Sequence, residues 1–129
     1  MRKSVIAGNW KMNNDLGESQ KLVSEILNGL GNDDKCDVIV CPPFTSLNEV
    51  YSLIKDTNVK LGAQNMYFKD NGAFTGEISA GMLKAVGCDY VIIGHSERRT
   101  YFGETDELIN DKIRKAISCD LRSCCLGRS

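Results

Sequence analysis

One histidine, no Cys-x-x-Cys pair and no glycine-rich phosphate fingerprint leave this 129-residue chain without the commonest kinds of signature. A single histidine cannot complete a Cys2His2 zinc centre, and without paired Cys/His spacing the six cysteines do not read as metal ligands. Neither GxGxxG nor GxxxxGKS/T occurs, so a small doubly wound domain that binds a phosphate ligand at its loops is ranked last. A surplus of charge is missing too. The formal net charge is −1, which gives no general field to attract nucleic acid or an anionic membrane, and any anion must be held by local groups. Long apolar runs are also absent near the N-terminus. Between Lys3 and Gly8 lie only Ser4, Val5, Ile6 and Ala7, too few for a signal peptide's apolar region or a membrane span. The expectation is a cytoplasmic protein with neither nucleic acid nor membrane as partner.

What is present is the balance of a soluble globular protein, 42% hydrophobic and 26% charged. Cys36, Cys41, Cys88 and Cys119 sit in or beside apolar runs, as small buried free thiols do. Adjacent Cys124 and Cys125 stand apart, in a tail where exposure and oxidation are expected.

Short β-branched runs recur at Val5 to Gly8, Val38 to Cys41, Val59 to Ala63 and Tyr90 to Gly94. Near-continuous apolar strands of this kind point to a parallel sheet covered on both faces. Helical patterns lie between them. Asp15 and Glu18 form a capping box ahead of Leu16, Leu22, Val23, Ile26, Leu27 and Leu30, with Gly29 and Gly31 as the stop. Ser46 and Glu49 repeat the box before Val50, Leu53 and Ile54, and Ser79 caps a short helix carrying Met82, Leu83 and Val86. Residues 106 to 118 place Leu108, Ile109, Ile113, Ala116 and Ile117 on one face. Right-handed crossovers then leave two architectures, half of a barrel or a small doubly wound sheet, which periodicity does not separate. The connection from Asn65 to Ile78 is too long for a minimal βα loop, and with Phe68 and Phe74 in it reads as functional or interfacial.

Chemistry is concentrated where Tyr90-Val91-Ile92-Ile93-Gly94 runs into His95-Ser96-Glu97-Arg98-Arg99. A histidine at the start of a helix meets the positive end of the helix dipole, which disfavours its protonated form. Lys11 follows the first strand, with the carboxamide of Asn9 two residues earlier; a cation there can stabilise an oxyanion or a phosphate. Ser96 is a candidate cap, and Arg98 and Arg99 are candidates for ion pairs across loops or across a dimer.

Three stretches together carry a resemblance. Ala7-Gly8-Asn9-Trp10-Lys11-Met12, then Gly62-Ala63-Gln64-Asn65 through Gly72-Ala73-Phe74-Thr75-Gly76-Glu77, then Tyr90 to Arg99 resemble the triosephosphate isomerase family in order and separation, from residue 1 to about 121. The resemblance implies an α/β chain forming half of a (β/α)8 TIM barrel, with about four βα units and an atypical fifth strand segment, as a single incomplete domain over residues 1–129. It implies His95, Lys11 and Glu97 as catalytic residues and Asn9 with Lys11 as substrate-binding ones. Gln64, Asn65, Phe74, Thr75, Gly76 and Glu77 fall at the interface of a homodimer built through the 65–78 loop. The implied reaction interconverts dihydroxyacetone phosphate and glyceraldehyde 3-phosphate through an enediolate, in glycolysis and gluconeogenesis, with no cofactor and no metal. In the family, the carboxylate base, the lid and the phosphate cradle come from later strands, beyond Ser129. A truncated form without its base, with little or no activity alone, is therefore expected. The competing reading is a noncatalytic half-barrel with an assembly or interaction role, or with none. After Leu121 the pattern departs from the family: Arg122 to Arg128 is one residue short of the expected fifth strand and puts Arg128 where an acid belongs, as a premature terminus after a frame error would.

Overall fold

The computed structural model describes residues 4–30 and 36–124. Five strands, β1 (Ser4–Asn9), β2 (Cys36–Cys41), β3 (Val59–Ala63), β4 (Tyr90–Ile92) and β5 (Arg122–Cys124), alternate with helices α1 (Leu16–Leu30), α2 (Leu47–Ile54), α3 (Ala80–Ala85), α4 (Ser96–Tyr101) and α5 (Asp106–Ser118). All neighbouring strands pair in parallel, in the order β1-β2-β3-β4-β5. A doubly wound sheet reverses its strand order at a switch point, and this one does not. The strands advance in one direction, as in a barrel.

The two faces of the sheet differ. Val40, Leu61, Val91 and Ile93 pack in the main core with Val23 of α1, Leu47, Val50 and Ile54 of α2, Leu83 of α3, and Ile109 and Ala116 of α5. The alternate positions Ile39, Cys41 and Ile92, with Ala7, Tyr90 and Cys124 beside them, form a second, smaller cluster containing no helical residue. Because strand side chains alternate between faces, all the helices that enter the core cover one face, and the other is the inner face of a curled half-barrel. Cover on both sides, expected from the apolar strands, is corrected to cover on one. The unbroken apolar character of those strands comes from an inner face that a closed barrel would also bury. Gly62 belongs to this layer. A Cβ there would lie 2.7 Å from Cys41 Sγ, so only glycine lets β2 and β3 approach.

Local signals decide most helix starts. Asp15 Oδ1 accepts from the Glu18 amide at 2.9 Å, and Glu18 Oε1 from the Asp15 amide at 3.0 Å, a closed capping box. Ser79 Oγ caps α3 through the Met82 amide, and Thr105 Oγ1 caps α5 through the Leu108 amide. The second box does not form. Ser46 makes no side-chain cap; its hydroxyl is buried and accepts from Ser19 Oγ at 3.0 Å, while Glu49 accepts from Ser52. A tertiary hydrogen bond between two buried hydroxyls outweighs the local one. Gly29 lies inside α1 rather than beyond it, and Gly31 falls outside the described residues. Leu16, Leu53, Met82 and Ile117, assigned to apolar faces, are exposed. Cys125 and the rest of the tail also lie outside the described residues. Cys41, Cys88 and Cys119 are free thiols, and burial pushes the Cys41 and Cys88 thiols up to about 12. No helix among the described residues is long and apolar enough to cross a membrane.

Candidate active site at the strand ends

The site side chains gather just beyond the C-terminal ends of β1, β3 and β4. β1 ends at Asn9, whose Oδ1 accepts from the Lys11 amide at 2.9 Å. The intervening turn puts Lys11 at φ 57°, a left-handed backbone that a non-glycine residue rarely takes, so the conformation is held by its surroundings. Gln64, just past β3, supplies the hold: its Nε2 donates to the carbonyls of Lys11 at 2.8 Å and of Cys41 at 2.9 Å. β4 gives way to Gly94, whose φ of 77° turns the chain into α4.

His95 is the N-cap of α4, and its Nδ1 accepts from the Glu97 amide at 3.1 Å. An acceptor at Nδ1 is an unprotonated nitrogen, so the neutral ring carries its proton on Nε2 and presents a donor there. Ser96 was the candidate cap; it is the first helical residue instead, because the imidazole occupies that role. Lys11 Nζ donates to Glu97 Oε2 at 2.9 Å, and that hydrogen bond holds the Glu97 carboxyl below its usual range. Asn9, Lys11, Gln64, His95 and Glu97 line one cavity of ≈ 380 Å³, with Gly76 and Glu77 of the long loop, Phe44 and Phe102 also on its wall.

The 65–78 loop is closed at its base by Tyr67, whose amide donates to the Ile78 carbonyl at 2.7 Å, and is stiffened by Tyr67 against Phe68 and Phe74. Its tip, residues 71–77, is exposed. Of the residues assigned to a dimer interface, Phe74, Thr75, Gly76 and Glu77 lie on that tip. Gln64 and Asn65 are engaged within the chain, Gln64 as above and Asn65 Oδ1 by Lys112 Nζ at 2.8 Å. Arg98 and Arg99 pair across the loop that joins α4 to α5, with Glu104 at 2.6 Å and Asp106 at 2.7 Å.

Two functional-looking residues escaped the sequence reading. Glu104 and Lys112 are both buried and pair at 2.5 Å, with Arg98 on the same carboxylate oxygen. The available signal was Lys112, a charge within the apolar stripe Ile109, Ile113, Ala116. Burial raises the Glu104 carboxyl, but the hydrogen bonds from Lys112 and Arg98 outweigh it and hold the group below its usual range. A folded-state value below the unfolded one means stability that is fully present above the ordinary carboxylate range and is lost as pH falls through the folded value. Glu104→Gln, which strands the Lys112 charge, is therefore expected to cost about 3–5 kcal/mol at pH 7. Urea unfolding should show that gap closing under acid conditions, and a gap independent of pH would show that the carboxylate's charge is not what matters.

A half-barrel whose imidazole, ammonium, carboxylate and carboxamide groups gather at the strand ends defines a βα-barrel protein with an enzyme-type site. The family model described as Triosephosphate isomerase matches residues 4–129, and the chain belongs to that family. Among curated relatives, the triosephosphate isomerase of Clostridium beijerinckii is 52% identical over 130 residues, covering 100% of this chain and 52% of the relative. That of Caldanaerobacter subterraneus subsp. tengcongensis is 54% identical, again over 100% of this chain and 52% of its own length. The Clostridium tetani enzyme is 52% identical over 121 residues, or 94% of this chain and 47% of the relative. The chain spans about half the length of the curated relatives it matches.

Proposed function

We propose that this chain contributes the electrophilic half of a triosephosphate isomerase active site, working with a second barrel half to interconvert dihydroxyacetone phosphate and D-glyceraldehyde 3-phosphate in cytoplasmic glycolysis and gluconeogenesis. Residues 1–129 act as one incomplete barrel domain in this reading. The observation that carries it is the Glu97 amide on His95 Nδ1, which leaves Nε2–H as the ring's donor in the cavity that Lys11 also lines. In the proposed reaction a carboxylate from the other half removes a proton next to the substrate carbonyl. His95 donates to the carbonyl oxygen as it becomes an enediolate, and Lys11 balances the developing charge and the phosphate. Neutral histidine at a helix N-terminus is a role for which triosephosphate isomerase itself is the standing example, and it is carried over here by family membership. Glu97 holds Lys11 through their ion pair, and Asn9 fixes the lysine backbone. The chemistry calls for neither metal nor redox cofactor.

Combining this chain with the C-terminal half of the Clostridium beijerinckii relative tests the reading. Turnover in a coupled assay is expected to appear only with both halves. Lys11→Ala is expected to lower kcat/KM by about 10²-fold or more, as loss of an oxyanion donor does, while an exposed lysine contributes little to stability. Unchanged kcat/KM in that variant would remove Lys11 from the site.

The same reading places the exposed 71–77 tip across a homodimer. Thr75→Arg is expected to weaken self-association of the complemented barrel before it affects the chemistry. An unchanged dimer in sedimentation velocity would refute that placement.

A further inference from the structure

We infer that the buried Lys112–Glu104 pair is the positioning element for Lys11 and Glu97, acting through two arms that start from one carboxylate. One arm runs from Lys112 Nζ to Asn65 Oδ1 at 2.8 Å; the adjacent Gln64 then donates to the Lys11 carbonyl at 2.8 Å. The other runs from Glu104 Oε2 to Arg98 Nε at 2.6 Å, and Arg98 is the neighbour of Glu97 on α4. Lys11 Nζ and Glu97 Oε2 meet at 2.9 Å and join the arms, so the contacts form a closed ring.

The physical asymmetry within the ring decides which member governs. Lys11 and Glu97 are roughly half-exposed, 50% and 43%, whereas Lys112 and Glu104 are each 2% exposed. An exposed ion pair is screened and contributes little, while a buried hydrogen-bonded pair fixes its neighbours because either charge left alone is costly. Lys11 also has a left-handed backbone that does not sustain itself, and its carbonyl is gripped from Gln64. Lys115 adds a second brace one turn on, pairing with Asp70 at 2.6 Å, so α5 grips the long loop both at its base and near its tip. Glu104 Oε1 is buried without a hydrogen-bond partner among the described residues, so the carboxylate's hold rests on Oε2, which serves both arms. Loss of either cation therefore disturbs both.

This inference takes from the proposed function only the identity of the residues being held. Hydrogen exchange followed by mass spectrometry on the 129-residue chain does not depend on turnover, so the two ideas fail separately. Lys112→Met is expected to speed exchange in segments 9–13, 64–68 and 95–99 by about tenfold or more beyond whatever change global destabilisation brings at Ile39 to Cys41, the effect of losing a charge-assisted hydrogen bond. The double variant Lys112→Met/Glu104→Met separates positioning from packing. An apolar pair of similar volume is expected to restore the unfolding midpoint, yet segments 9–13 and 95–99 should remain fast. Normal protection of these segments in Lys112→Met overturns the inference. So does full recovery of protection in the double variant, or a uniform loss across the sheet in both.

Discussion

Purified by itself, the 129-residue chain is expected to turn over triose phosphate at least about 10²–10⁴-fold more slowly than a full-length relative, the cost of working without the carboxylate base that the proposed mechanism assigns to the other half. The reason lies in the charge pairing within the cavity. Glu97 has its Oε2 engaged by Lys11, and the hydrogen bond keeps the carboxylate a weak base. Glu77 lies on the exposed tip of the long loop, and Glu104 is buried between two cations. His95 and Lys11 can polarise a carbonyl but neither takes the carbon-bound proton in the proposed mechanism. A coupled assay checks this directly. Turnover approaching that of the complete enzyme, abolished by His95→Gln, would mean that a base lies among these residues and that the division of labour between halves is wrong.

The same chain is expected to expose apolar surface at its open sheet edges and to bind 8-anilinonaphthalene sulfonate or self-associate. In the sheet order, β1 and β5 each pair with a single neighbour among the described residues, leaving two open edges. Val5 and Ile6 on β1 are 59% and 55% exposed. The inner-face cluster of Ile39, Cys41 and Ile92 is itself buried although no helical residue joins it, so the exposed apolar surface lies at the β1 edge. An unpaired edge is a template for another strand. Each few hundred Å² of apolar surface left wet forfeits several kcal/mol at about 25 cal/mol per Å², against a typical domain stability of about 5–15 kcal/mol. Sedimentation velocity and dye fluorescence test the expectation. A soluble monomer that melts sharply without dye binding would show that the outer core around Val40, Leu61, Val91 and the helices suffices.

Which parts were legible in the sequence follows from how local their causes are. The Asp15/Glu18 box, the Ser79 cap and the strand runs depend on residues within a few positions of one another, and they stand where the pattern puts them. Ser46 shows the limit. Its capping motif is intact in sequence, yet Ser19, 27 residues away, takes the hydroxyl into the core.

The sequence by itself determined the element order, the family and the neighbourhood of His95, Lys11 and Asn9, because helix caps, apolar periodicity and the three matching stretches are properties of adjacent residues. Only the tertiary structure decided the rest. It chose the barrel-like strand order over the doubly wound one, put His95 rather than Ser96 at the cap, and turned Gln64 inward onto the Lys11 carbonyl. It also buried Lys112 against Glu104, eight residues apart, and joined that pair to Asn65 on a distant strand end. Such contacts depend on how helices pack around a curled sheet, and the free energy of a charge depends on what surrounds it in space.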